Sequence, residues 1–96
     1  MQVIAHQPHF WFFLQHENKY YLDVYCSYSI MSFGRLIQLT EAETKEYLAK
    51  GNTYINALAE GIQYEPKSTY ADRHITGEIG DIVHKTIMEY NAKNTI

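Results

Sequence analysis

Two aromatic-rich segments constrain the fold most strongly, because both sides of each segment are apolar. They are 9–16 (HFWFFLQH) and 20–28 (YYLDVYCSY), and the polar triplet ENK at 17–19 separates them. Aromatic and β-branched residues favour strands, and Asn18 tolerates the left-handed conformation that tight turns require. The pattern therefore predicts an antiparallel β-hairpin. A third strand is predicted near 33–39, after a short connection at 29–32.

The length of the hairpin turn decides which side chains share a face, since side chains alternate along a strand. A three-residue turn at 17–19 places Phe12 opposite Val24, whereas a two-residue turn at 17–18 changes the parity and mixes the two sets. We expect the three-residue turn because it gives one wholly apolar face, made of Phe10, Phe12, Leu14, Leu22, Val24 and Cys26. The opposite face then carries Trp11, Phe13, Tyr21, Asp23 and Tyr25.

This second face is also largely aromatic, so something must cover it. Monomeric proteins rarely expose a contiguous apolar patch of this size. Either one helix covers each face and the domain has three layers, or both helices cover one face and the aromatic face binds a partner. Tyrosine and tryptophan are enriched in protein interfaces. We expect the second arrangement, a homodimer or other protein contact formed by Trp11, Phe13, Tyr21 and Tyr25.

A helix is predicted immediately after the third strand. Thr40 and Glu43 have the spacing of a capping box, in which each side chain accepts a hydrogen bond from the other residue's backbone N–H. Beyond it, apolar residues recur every three or four positions without a phase break. We therefore expect one helix over 41–62. The alternative is two helices, with Gly51 as the C-cap of the first.

The remaining segments complete a single-domain prediction for 1–96. Residues 1–8 are expected to be an irregular lead-in because Pro8 disfavours regular structure. Residues 64–75 are expected to form a loop, and an amphipathic helix is expected over 77–91. The predicted fold class is thus α+β, with a three-stranded antiparallel sheet (β-β-β) followed by two amphipathic helices in two layers.

Composition excludes several classes of partner. The formal net charge is −3 and the eight basic residues are scattered, which argues against nucleic-acid binding and against binding to an anionic membrane surface. The chain has one cysteine, Cys26, which fits a reducing compartment, and we expect a cytoplasmic protein. No secretory signal or membrane-spanning pattern is expected, since the apolar run 10–14 is too short.

No motif in the sequence identifies a reaction, and no catalytic residue, metal site or cofactor is predicted. The histidines His6 and His9 have metal-ligand spacing, but Pro8 between them opposes the helix that this spacing requires. Our leading hypothesis is a non-enzymatic protein that acts through protein–protein contacts. The alternative is a small-molecule binding module or weak enzyme with a pocket between the sheet and the 64–75 loop, lined by Asp23, Arg35, Tyr70, Arg73 and His74.

Overall fold

The computed structural model describes residues 1–28, 31–64 and 69–94. These residues form an α+β domain, with an antiparallel sheet in the order β1-β2-β3-β4. The strands are β1 (Gln2–Gln7), β2 (Trp11–His16), β3 (Lys19–Tyr28) and β4 (Met31–Gln38). The helices are α1 (Glu41–Lys50), α2 (Asn52–Tyr64), α3 (Thr69–Asp72) and α4 (Glu78–Asn94). The predicted α+β class with an antiparallel sheet is confirmed, but the described residues form four strands rather than three and four helices rather than two.

The additional strand is β1, in the segment that we expected to be an irregular lead-in. Its residues pair with β2 along most of their length, with an irregularity between Val3 and Ala5. Pro8 lies after the strand, in the β1–β2 turn, where its missing N–H removes no hydrogen bond from the sheet. The lead-in prediction was wrong because Pro8 ends a strand here and does not prevent one.

The β2–β3 turn has two residues, so the predicted three-residue turn is corrected. Glu17 and Asn18 both have positive φ, at 51° and 67°, as a type I′ hairpin turn requires. Phe13 consequently lies opposite Leu22, and the parity of the two strands differs from our prediction. Glutamate is not among the residues that favour this turn, so residues 17–18 carry a weak turn signal.

One face of the sheet packs against α2. The buried core on this face, which we call the first core, combines strand residues with Ile55, Leu58, Ala59 and Ile62 of the helix. Phe13 and Leu22 are fully buried in it, and Tyr47 of α1 packs at its margin. Its remaining members are Trp11, Val24, Cys26 and Ile37 of the strands and Leu39, which directly follows β4.

The opposite face packs against α4. Leu14, Tyr21 and Leu36 are buried there with Val83 of the helix, and we call this cluster the second core. Helices therefore cover both faces, and the predicted two-layer arrangement is corrected to three layers. Because a helix packs on each face of the sheet, the strands carry apolar side chains on both sides.

The predicted helix over 41–62 is also corrected, because the chain breaks at Gly51 between α1 and α2. Gly51 has φ 69° and ψ −148°, a conformation that glycine alone adopts readily, and its N–H donates to Tyr47 O at 2.7 Å. The capping box at Thr40 and Glu43 is present as predicted. The apolar spacing continued across the break because residues of both helices pack toward the first core.

The C-terminal part of the chain follows the prediction in outline. Residues 65–68 of the predicted 64–75 loop lie outside the described residues, and α3 occupies 69–72. The last helix, predicted over 77–91, begins at Glu78 and continues to Asn94. Residues 29 and 30 of the predicted 29–32 connection also lie outside the described residues.

Candidate functional site

The strand register places four residues in one row across the second face of the sheet. His6 pairs with Phe12, Phe12 with Asp23, and Asp23 with Leu36. A carboxylate thus stands on a central strand, between an aromatic residue and an aliphatic one. This arrangement makes Asp23 the most unusual residue of the sheet, since ionised groups are rarely buried without a partner.

A cavity of about 490 Å³ opens beside this row. The sheet forms its floor, the β1–β2 turn forms one rim, and Ile87 and Asn91 of α4 form another wall. Apolar and aromatic side chains dominate the lining. Its members include His6, Phe12, Asp23, Tyr25 and Gly34.

The Asp23 side chain is half-buried, and no hydrogen bond to it occurs within the described residues. Burial raises the pKa of this carboxyl to about 6, and the nearby imidazole of His84 offsets that rise only in part. Asp23 is the one acidic residue in the cavity lining, which contains no lysine or arginine within the described residues. The described chain therefore gives this carboxylate no lysine, arginine or hydrogen-bond donor, and His84 compensates its burial only in part.

A stacked aromatic group stiffens the wall beside Asp23. The rings of His6 and Phe12 are stacked with their centroids 5.1 Å apart, and the Tyr90 ring meets both of them edge-on, at 5.2 and 6.0 Å. Tyr90 Oη also lies 3.3 Å from His6 Nδ1, within hydrogen-bond distance. These contacts join β1, β2 and α4, so this wall is formed before any ligand arrives.

A smaller cavity of about 240 Å³ lies on the other side of Asp23. His74 and His84 line it, together with Gly80 of α4. The Nδ1 atom of His74 accepts a hydrogen bond from the Leu36 N–H at 3.1 Å. Burial, followed by the charge of Arg35, lowers the pKa of His74, which favours the neutral ring that this bond requires.

The structure separates the five residues predicted to bind a small molecule. Asp23 and His74 share the smaller cavity. Arg35 pairs with Val24 and so points to the opposite face, where its guanidinium carbon lies 5.1 Å from the centroid of the Phe33 ring. Arg35 therefore does not pair with Asp23.

Tyr70 and Arg73 also lie away from the Asp23 cavity. Tyr70 packs at the margin of the first core. Arg73 donates to both oxygens of the Glu43 carboxylate, at 2.6 and 3.0 Å, and to Gln38 O at 2.8 Å. These contacts tie the segment after α3 to β4 and to the start of α1, so Arg73 has a structural role.

Three of the four predicted interface residues are buried by the chain's own helices. Trp11 is 3% exposed and its Nε1 donates to Asn56 Oδ1 at 3.2 Å; Phe13 and Tyr21 are also buried. Tyr25 is 50% exposed and borders the large cavity. The uncovered aromatic face that motivated the homodimer is thus not present, and association with a partner stays a prediction.

His6, Phe12 and Ile87 line the large cavity, although the sequence pattern does not predict them there. The segment that contains His6 was predicted to be an irregular lead-in. The wrong turn length placed Phe12 on the face of the sheet opposite to Asp23. The motif of His6 and His9 was a usable signal, since both residues line the large cavity. Their position there is set by β1 and its turn and not by a helix.

Cys26 is fully buried in the first core, and its Sγ lies 3.6 Å from Val24 O. Burial raises the pKa of this thiol, which opposes thiolate chemistry. Within residues 1–28, 31–64 and 69–94, no cluster of three or more His, Cys, Asp or Glu side chains is arranged to hold a metal ion. In the same part of the chain, no helix has the length and apolar character needed to cross a membrane.

Comparison with protein-family models, curated proteins and solved structures finds no match to this chain.

Proposed function

We propose that this chain is a cytoplasmic small-molecule binding domain whose ligand occupies the large cavity beside Asp23. One observation carries the proposal: a half-buried carboxylate without a hydrogen-bond partner among the described residues lines a half-open, mostly apolar cavity. Ligand sites commonly combine apolar walls with a few polar groups that fix the ligand's orientation. The cavity volume of about 490 Å³ lies within the range of such sites.

The energetics of Asp23 support a functional interpretation over a structural one. Burying an ionised carboxylate without a partner destabilises the folded state. An apolar residue in the same row would pack without that cost, as Leu36 does in the neighbouring strand. A ligand that pairs with the carboxylate would offset this destabilisation. Ligand binding would therefore explain why an aspartate occupies this position.

The cavity walls are also suited to binding because they are formed in advance. The His6, Phe12 and Tyr90 rings hold one another in place, so a ligand need not order them. Tyr25, on the opposite rim, is half exposed and supplies a further aromatic surface. A cavity with pre-ordered walls binds with a smaller loss of conformational entropy.

A library that contains cationic, neutral and anionic small molecules tests this proposal. Resonances of the ¹⁵N-labelled chain would be followed by NMR during the screen. We expect hits that shift residues around the cavity, including Phe12, Asp23 and Tyr25, and that lose affinity in Asp23→Asn. Asp72→Asn, which changes an exposed aspartate on α3, is the matched control and should retain binding. A screen without a hit at these residues would reject the proposal.

A further inference from the structure

We infer that the ligand of this site is a small organic cation, a protonated or quaternary amine with an apolar body. The inference rests on the proposed function, since it names the class of ligand that the Asp23 cavity takes. It follows from the charges around the cavity, from the aromatic rings that line it, and from the shape of the space.

The charge distribution excludes anions and favours cations. Asp23 is the one acidic residue lining the large cavity, and no lysine or arginine lines either cavity within the described residues. A carboxylate on the ligand would lie beside Asp23 with no lysine or arginine to offset the repulsion. An ammonium group there forms an ion pair, and desolvated charge-assisted hydrogen bonds are among the stronger polar contacts.

The aromatic lining gives a second, independent reason. Phe12 and Tyr25 flank Asp23, because Phe12 lies directly opposite it and Tyr25 follows it on the same face of β3. Phe10, in the β1–β2 turn, adds another ring to the cavity. Aromatic faces attract cations, and quaternary ammonium groups are commonly recognised by several rings together.

Besides Tyr25, four imidazoles line the two cavities around Asp23. His6 on β1 and His9 in the β1–β2 turn line the large cavity; His74 before α4 and His84 on α4 line the smaller one. Burial raises the pKa of Asp23 to about 6, so its protonation at lower pH removes the negative charge that attracts a cation. Amine binding should therefore weaken between neutral pH and pH 5.

The shape of the cavity favours a free small molecule over a lysine side chain of a partner protein. Sheet, turn and α4 enclose the space on several sides, and the carboxylate lies at the sheet. A lysine reaches such a site with a narrow four-carbon stem, which leaves much of the volume of about 490 Å³ unfilled. An amine with an aromatic or branched body fills the same volume with apolar contacts.

Three probes of similar size and different charge test the inference at pH 7.5: phenethylamine, phenethyl alcohol and phenylacetate. Binding to the full ¹⁵N-labelled chain is measured by NMR titration. We expect phenethylamine to bind, phenethyl alcohol to bind at least about tenfold more weakly, and phenylacetate to cause no shift. Asp23→Asn should weaken phenethylamine binding by about tenfold and leave the alcohol unchanged, while Asp72→Asn should change neither.

The possible failures are distinguishable. Equal affinity for amine and alcohol, or tighter binding of phenylacetate, would overturn the cation inference while the small-molecule site itself stood. A complete lack of response to phenethylamine would also overturn it, and the library screen would then decide the proposed function separately. Tighter binding of Nα-acetyl-lysine amide than of phenethylamine would identify a protein lysine as the occupant, against the free amine. The three probes are compared on the unmodified chain, so this test remains valid even where a variant fails to fold.

Discussion

A Cβ atom at position 34 would lie 3.2 Å from Oδ1 of Asp23, so the missing side chain of Gly34 leaves room for the carboxylate. The two residues occupy neighbouring strands on the same face, and both line the large cavity. We predict that Gly34→Ala forces the carboxylate to move by a few tenths of an ångström and narrows the cavity. Phenethylamine binding should weaken by about threefold or more, while the unfolding free energy changes by less than about 1 kcal/mol.

NMR titration and urea unfolding of the same variant check this prediction. Gly61→Ala is a suitable control, because Gly61 lies on α2 and its nearest contact for an added Cβ is Tyr70 Oη at 3.8 Å. Unchanged amine affinity in Gly34→Ala would show that the space beside Asp23 does not limit binding.

Asp23→Asn should stabilise the ligand-free protein at neutral pH. The folded-state pKa of about 6 lies above the ordinary value of 3.8, so the folded state binds the proton more tightly than the unfolded chain does. The stability that this group contributes is fully present below pH ~4 and is lost as the pH rises through ~6. We expect a gain of about 1–2 kcal/mol at pH 7.5 that disappears by about pH 4, because an amide cannot ionise. Urea unfolding at several pH values measures it, and a loss of stability at pH 7.5 would contradict an unpaired carboxylate.

The contact between Arg73 and Glu43 should show the opposite pH dependence. Burial raises the Glu43 pKa, but the hydrogen bonds from Arg73 and from the Thr40 backbone outweigh it and lower the pKa overall. The stability from this carboxylate is present above its ordinary pKa and is lost as the pH falls through its folded value. Arg73→Ala should cost about 1–2 kcal/mol at pH 7 and less at pH 3.

A double-mutant cycle with Glu43→Gln isolates that interaction. Glutamine retains an oxygen for the capping box but loses the charge, so the two single changes should not be additive at pH 7. Additive effects at that pH would mean that the two side chains do not stabilise each other in solution.

The β2–β3 turn offers a test of the corrected register. Replacing Glu17-Asn18 by Asn-Gly supplies residues that favour positive φ at both turn positions, and should stabilise the fold by about 0.5–1 kcal/mol. Thermal unfolding would show the gain. This change would not stabilise a three-residue turn. An unchanged or lower melting temperature would therefore argue against the two-residue turn.

The fold could be predicted from sequence where local chemistry decided it. The capping box at Thr40 and Glu43, the hairpin and the last helix depend on patterns of adjacent residues, and these features are present. The turn length could not be predicted, because the Glu17-Asn18 pair has no strong preference and the parity of a hairpin depends on one residue. That single residue changed which aromatic side chains share a face.

The layer arrangement and the site depend on long-range packing, which the sequence pattern does not contain. The sequence predicts that both faces of the hairpin are apolar, but the position of α4 decides whether one of them is free. The sequence does indicate that Asp23 is a polar residue among aromatic ones. Its neighbours His6 and Ile87 come from opposite ends of the chain, and only the three-dimensional fold brings them together.

The most direct test of the central claim is the titration of the Asp23 carboxyl carbon by ¹³C NMR, with and without saturating phenethylamine. The structure predicts a pKa of about 6 in the free protein. A bound cation stabilises the ionised form, so the pKa should fall by about one unit or more when the amine is present. A free-state pKa near the ordinary value of 3.8, or a pKa that the amine does not change, would contradict the account.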